Sequence, residues 1–141
     1  MTDNITHLFG PEKEAVSVLL VDDQQMFRDL ARSVLEKGED YRVIGEAGGG
    51  IEAIKMTREL HPDLVVMDIQ MPDMGGIEAT REIVSTFPGT QIVLMSMGSD
   101  SEYPALVRAI GADGFLTKRN VTPQNLDAVL GRADMPDTRA A

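Results

Sequence analysis

The sequence predicts an α/β domain: a doubly wound parallel sheet of five strands with helices on both faces. Two observations predict it. From residue 16 to residue 132, short apolar runs alternate with segments of helical period. Three of the runs are apolar throughout or nearly so, rather than at every second position, as expected of strands covered on both faces. Such strands joined through helices make parallel βαβ units. Periodicity does not set the order of the strands in the sheet.

The elements follow in turn. Residues 1–15 are polar, punctuated by Gly10-Pro11, and read as a flexible leader. Val16 to Val21 is the first buried strand. Gln24 to Lys37 is a helix with Met26, Phe27, Leu30, Val34 and Leu35 on one stripe, stopped by Gly38. Tyr41 to Ala47 is a short strand, and Ile51 to Leu60 a helix closed by His61-Pro62. Leu64 to Met67 is a buried strand that ends at Asp68. Ile77 to Phe87 is a helix stopped by Pro88-Gly89. Ile92 to Met95 is a buried strand that ends at Ser96. Ser101 to Ile110 is a helix that tolerates Pro104 in its first turn. Gly114 to Thr117 is the last strand, ending at Lys118, and Pro123 to Arg132 the last helix. Residues 133–141, ADMPDTRAA, read as a flexible tail.

At 141 residues the chain suits one domain (residues 16–132 here) with a core that needs no staples. It has no cysteine, which excludes disulfides, zinc-thiolate sites and thiol catalysis. No apolar run approaches the roughly 20 residues of a membrane span. The first residues lack the basic start and apolar block of a signal peptide. The expectation is a soluble, cytoplasmic protein. With 23 acids against 13 bases the net charge is −10, which repels phosphate backbones and argues against direct nucleic-acid binding.

The chemistry lies at the strand ends. In doubly wound sheets ligands bind beyond the carboxyl ends of the strands. The residues just past those ends are Asp22 and Asp23, then Asp68, Ser96 and Lys118. Taken singly, each has a plain structural reading: the acids and Ser96 as helix caps, Lys118 as a solvated charge. Taken together, five polar residues in register at the ends of four strands point to one pocket. Two carboxylates about 5 Å apart at an effective dielectric of about 20 repel by about 3 kcal/mol. Three of them therefore retain a proton or hold a cation. Oxygen ligands suit a hard divalent ion, Mg²⁺. A carboxylate flanked by Mg²⁺, an ammonium and a hydroxyl is a receiver for a phosphoryl group, with Asp68 as nucleophile and an acyl phosphate as product. His7 and His61 stand apart from this set, and the nine methionines read mainly as core filler.

The blocks LLVDDQ, PDLVVMDIQMPDMGGIEATR, VLMS and GADGFLTK resemble those of the receiver domain of two-component response regulators. The intervals resemble that family too: 45 residues from Asp23 to Asp68, 28 more to Ser96 and 22 more to Lys118. The stretch DIQMPDMGGIEATREI is most similar to receivers that precede a LuxR-type helix-turn-helix. The resemblance implies a flavodoxin-like (CheY-like) fold with strand order 2-1-3-4-5. It implies phosphorylation of Asp68 by a sensor histidine kinase or a histidine phosphotransfer protein. Asp23 is then a direct Mg²⁺ ligand, Asp22 acts partly through water, and the main-chain carbonyl of Gln70 joins Asp68 as a ligand. Ser96 binds the phosphoryl group, and Phe115 is the switch aromatic. The fourth helix, fifth strand and fifth helix form the output face, for a downstream protein or for homodimerisation. Such a domain catalyses only its own phosphorylation and dephosphorylation.

The sequence departs from the family pattern at a few points. Arg119 follows Lys118, where many members have a cis proline, so a trans peptide is expected. Met97 follows Ser96, where a small residue is usual; its thioether would screen the pocket. Gly98 offers no side chain to guide water, and Gln70 holds a position that tunes phosphoryl lifetime. Slow dephosphorylation is the expectation.

Other readings fit less well. A haloacid-dehalogenase-type enzyme needs an acid where Gln70 stands. A flavodoxin proper needs a Ser/Thr/Gly-rich phosphate loop after the first strand, where Asp22 and Asp23 stand. GEAGGG follows the second strand and lacks nucleotide-loop spacing. The alternative of a different class is a pseudo-receiver that binds proteins without phosphoryl transfer.

Overall fold

Val18, Leu19, Leu20 and Val21 are four consecutive residues, none more than 1% exposed. Successive strand residues point to opposite faces, so both faces of this strand must be covered. The computed structural model describes residues 14–98 and 103–132 and shows what covers them. The elements are β1 (Val16–Val21), α1 (Gln25–Leu35), β2 (Tyr41–Ala47), α2 (Gly50–Leu60), β3 (Leu64–Asp68) and α3 (Gly76–Thr86). They continue with β4 (Gln91–Ser96), α4 (Tyr103–Ala109), β5 (Gly114–Thr117), a 3₁₀ turn (Lys118–Asn120) and α5 (Pro123–Val129). All strands are parallel, in the order β2-β1-β3-β4-β5. This is the doubly wound, flavodoxin-like arrangement expected.

Two cores result. Val18, Leu20, Leu64, Val66, Val93 and Met95 pack beneath Ala31 and Leu35 of α1 and Leu126 of α5. Leu19, Val21, Val65, Met67, Ile92 and Leu94 pack beneath Ala53 of α2, Ala79 and Ile83 of α3, and Val107 of α4. One strand feeds both cores, and that is why its apolar run is unbroken. Cutting a fully buried leucine such as Leu19 or Leu64 to alanine costs about 2–5 kcal/mol.

The strands fall where the sequence places them, to within one residue at each end. Helix ends and one helix stripe differ. α1 stops at Leu35, three residues before Gly38: the Glu36 N–H makes the last bond of α-type, to the Arg32 carbonyl, and the Lys37 N–H turns to the Val34 carbonyl instead. Its buried line runs through Phe27, Ala31, Val34 and Leu35, whereas Met26 and Leu30 are 85% and 61% exposed. The apolar stripe is wider than the arc the sheet can cover, and its outer row faces solvent. α2 begins one residue early and ends at His61, which takes the left-handed conformation (φ 48°). α5 is also shorter than expected, with Gly131 at φ 75° just beyond it. Its start is capped by Thr122, whose Oγ1 accepts from the Asn125 N–H, with Pro123 in the first turn. The expected start of the fourth helix at Ser101, the tail and the leader through residue 13 lie outside the described residues. Among the described residues no peptide is cis, so the bond after Lys118 is trans as expected. No described helix is long and apolar enough to cross a membrane.

Candidate functional site

β1 delivers Asp22 to the carboxyl edge of the sheet, fully buried. Its Oδ1 accepts the Gln24 N–H at 2.9 Å, a local turn that starts α1. Asp23 is exposed beside it. The last residue of β3 is Asp68, buried, whose Oδ1 accepts the Gln70 N–H at 3.1 Å. Each buried acid thus gives one oxygen to its own backbone, which fixes its direction. The other oxygen of each turns to Lys118, whose Nζ lies 2.6 Å from Asp22 Oδ2 and 3.0 Å from Asp68 Oδ2. Asp22 Oδ2 has no hydrogen bond of regular geometry, so the ammonium stands against it mainly as a charge.

One carboxylate oxygen each from Asp22, Asp23 and Asp68 lie within 4.8 Å of one another. Ser96 is buried at the end of β4; Asp68 pairs with Met95 and Ser96 with Thr117, so all reach the same edge. The Gln70 side chain is exposed and its N–H is turned to Asp68. Phe115 on β5 is half-buried, its ring 5.7 Å from that of Tyr103, beside a cavity of about 260 Å³ between α4 and α5. Met97 is 78% exposed and so is not folded down over the carboxylates as a screen.

The electrostatics follow from burial. Burial raises the Asp68 pKa above the usual carboxylate value; the Gln70 N–H and Lys118 oppose this, and the Asp22 charge adds to it. For Lys118 burial acts to lower the pKa, but the carboxylates of Asp22 and Asp68 beside it outweigh burial and the net shift is upward. Lys118 therefore stays a cation. Three carboxylates against one ammonium leave two negative charges in a small space. The donors are all oxygen, so the residues fit a hard divalent cation.

Three contributors were not singled out by sequence reasoning. Phe27 lies under Lys118, with Nζ 4.8 Å from its ring centre, a cation–π contact that keeps the lysine over the acids. Arg28 donates through Nη1 to the Asp22 carbonyl oxygen at 2.5 Å. Asp73 Oδ1 accepts the Gly50 N–H at 3.2 Å and the Met74 N–H at 2.6 Å, seating the loop after β3 on the start of α2. A Cβ on Gly49 would overlap the Asp73 carboxylate, which gives the glycine run after β2 its purpose. Gly76 has a similar reason: a Cβ there would overlap the Asp68 carbonyl oxygen and push the site apart. The signals available were Arg28 and Arg32 one turn apart on α1, and an acid after Pro72.

Residues 18–130 match the response regulator receiver domain. The chain belongs to that family. Among curated proteins, this receiver is 44% identical over 116 residues to the chemotaxis protein CheY of Halobacterium salinarum, covering 82% of this chain and 94% of that protein. It is 36% identical over 121 residues to the transcriptional regulatory protein YxjL of Bacillus subtilis, covering 86% of this chain and 56% of the relative. The receiver therefore spans nearly all of one relative and little more than half of the other. Among solved structures it is similar to a LuxR-family two-component response regulator from Aurantimonas sp. SI85-9A1 (TM-score 0.75, 29% identity, 90% of this chain and 99% of that one). It is also similar to the response regulator domain of Thermotoga maritima CheB (TM-score 0.75, 28% identity, 86% and 98%). LuxR-family regulators are thus among its structural relatives, as the stretch after Asp68 suggested.

Proposed function

We propose that this receiver accepts a phosphoryl group on Asp68, in a reaction that depends on Mg²⁺ held by Asp22, Asp23, Asp68 and the Gln70 carbonyl. The observation that carries the proposal is the setting of Asp68: its Oδ2 faces Lys118 at 3.0 Å, with two further carboxylates close by. The donor is the phosphohistidine of a sensor histidine kinase or a histidine phosphotransfer protein. A carboxylate oxygen of Asp68 attacks phosphorus, the P–N bond breaks, and the imidazole leaves with the electron pair. Lys118 stabilises charge on the equatorial oxygens and Ser96 binds one of them. The acids Asp22, Asp23 and Asp68 would hold Mg²⁺, which would supply further charge neutralisation for the phosphoryl group.

The output follows from position. A phosphoryl group on Asp68 draws Ser96 toward it, and Phe115 follows into the space beside α4. The changed face, α4-β5-α5, engages a downstream protein or a second receiver. Coupling of this kind is worth about 1–3 kcal/mol, enough to shift populations several-fold. The exposed Met97 leaves Gly98 and Gln70 as the reasons for slow loss of the phosphoryl group.

The test is acetyl phosphate with and without Mg²⁺, read by intact-protein mass spectrometry on wild type and Asp68→Asn. Wild type should gain a phosphoryl group only with Mg²⁺, and Asp68→Asn should gain none. An unmodified wild type under both conditions, with intact fold, would instead assign the chain as a protein-binding pseudo-receiver.

A further inference from the structure

Asp22 and Asp23 are joined by one peptide, and a peptide is planar. Whatever holds the Asp22 carbonyl therefore also sets the direction in which Asp23 leaves the strand. That carbonyl oxygen is held by Arg28 Nη1 at 2.5 Å. Arg28 is itself anchored: its Nε lies 2.9 Å from Glu46 Oε1 on β2, with the two side chains only 17% and 23% exposed. Glu46 is anchored in turn by Arg32, whose Nη2 lies 2.9 Å from Oε2 and whose Nε donates to the same oxygen at 3.0 Å. Glu36 completes the group, 3.7 Å from Arg32 and accepting the Val43 N–H at 2.8 Å. The chain runs without a gap from β2 through α1 to the peptide between the two acids.

A cation this near a metal site needs a reason, since it opposes a dication. Here two guanidinium groups meet two carboxylates, so the group is rigid and close to neutral. We infer that Arg28, locked by Glu46, is a positioning residue that preorganises the Asp22–Asp23 pair for Mg²⁺, and that Glu46 cancels the repulsion Arg28 would otherwise exert. The inference rests on the Mg²⁺ site of the proposed function. Arg28 touches neither the phosphoryl group nor the ion and acts through the carbonyl it holds. Groups that orient metal ligands typically change metal affinity by about 10–100-fold.

The experiment is an Mg²⁺ titration of the full chain followed by amide NMR shifts, with thermal midpoints measured separately without Mg²⁺. Arg28→Met should weaken Mg²⁺ binding by about tenfold or more. Arg28→Lys should regain part of this, because a point charge can serve Glu46 or the Asp22 carbonyl but lacks the fork that serves both. Glu46→Gln leaves Arg28 uncompensated; its Mg²⁺ binding should be weaker at low salt, and the deficit should shrink as salt rises. An Arg28→Met protein with a lowered melting point but an Mg²⁺ affinity within about twofold of wild type would reduce the clamp to a structural tie and overturn the inference. If Arg28→Met does not fold, the Arg28→Lys and Glu46→Gln affinities decide in the same way. Wild type that binds no Mg²⁺ overturns the proposed function, and the clamp with it.

Discussion

The two edges of the sheet both carry aspartates and use them in opposite ways. At the amino edge Asp63 Oδ2 accepts the Ser17 N–H at 2.9 Å, while Ser17 Oγ accepts the Asp63 N–H at 2.8 Å. Asp113 Oδ2 accepts the Ile92 N–H, and the Ile92 carbonyl accepts the Asp113 N–H, both at 2.7 Å. These acids tie neighbouring strands together through backbone amides. At the carboxyl edge Asp22 and Asp68 each give one oxygen to a local amide and turn the other to Lys118, with Asp23 alongside. An acid that fixes structure is satisfied by uncharged donors. An acid that acts keeps an oxygen for a cation.

The largest test of this contrast is Lys118→Met. It leaves two buried acids facing each other, and breaking a buried pair costs about 3–5 kcal/mol. Urea unfolding without Mg²⁺ should show that loss, and added Mg²⁺ should recover part of it. Labelling by acetyl phosphate should fall by at least about a hundredfold. Asp63→Ala is the counterpart at the other edge. It should cost about 1 kcal/mol for a lost hydrogen bond and leave labelling unchanged. Equal stability losses for the two variants would erase the distinction between the edges.

Glu46 sharpens the comparison, because it lies toward the carboxyl edge yet is fully paired. Burial alone would raise its pKa, but the hydrogen bonds from Arg28 and Arg32 outweigh burial and hold it below the ordinary glutamate value of 4.5. A carboxylate lowered in the folded state adds stability that is present above its unfolded pKa and lost as pH falls through the folded one. Glu46→Gln should therefore cost up to about 1 kcal/mol at pH 7, the upper range for a solvent-screened pair. The gap between wild type and variant should close as pH falls below the glutamate range. A gap that stayed constant across that range in thermal melts would show that the pairing contributes through shape alone.

Much of this was legible in the sequence. The strands β1, β3 and β4 announce themselves, because burial on both faces leaves runs with no polar residue, Val18 to Val21, Leu64 to Met67 and Ile92 to Met95. The acids of the site are legible for the complementary reason: a charge directly after such a run has nowhere to be but at a sheet edge. Helix ends were read less well. Gly38 looked like the stop of α1, yet Glu36 closes the helix first. Met26 and Leu30 looked like core, since a sequence stripe cannot say how wide an arc the neighbouring sheet covers. Asp73 and Arg28 carried only faint signals, an acid after Pro72 and an arginine one turn before another, because their partners stand 23 and 6 residues away across loops.

The sequence by itself determined the alternation of elements, the two-sided burial of the strands, and which polar residues stand at strand ends. Those are properties of neighbours along the chain, set by side-chain period and by the cost of burying charge. Only the tertiary structure decided that Lys118 lies between Asp22 and Asp68, that Phe27 lies beneath it, and that Arg28 holds the peptide joining Asp22 to Asp23. Those contacts depend on strand order and helix rotation, which arise when distant segments compete for the same faces of one sheet.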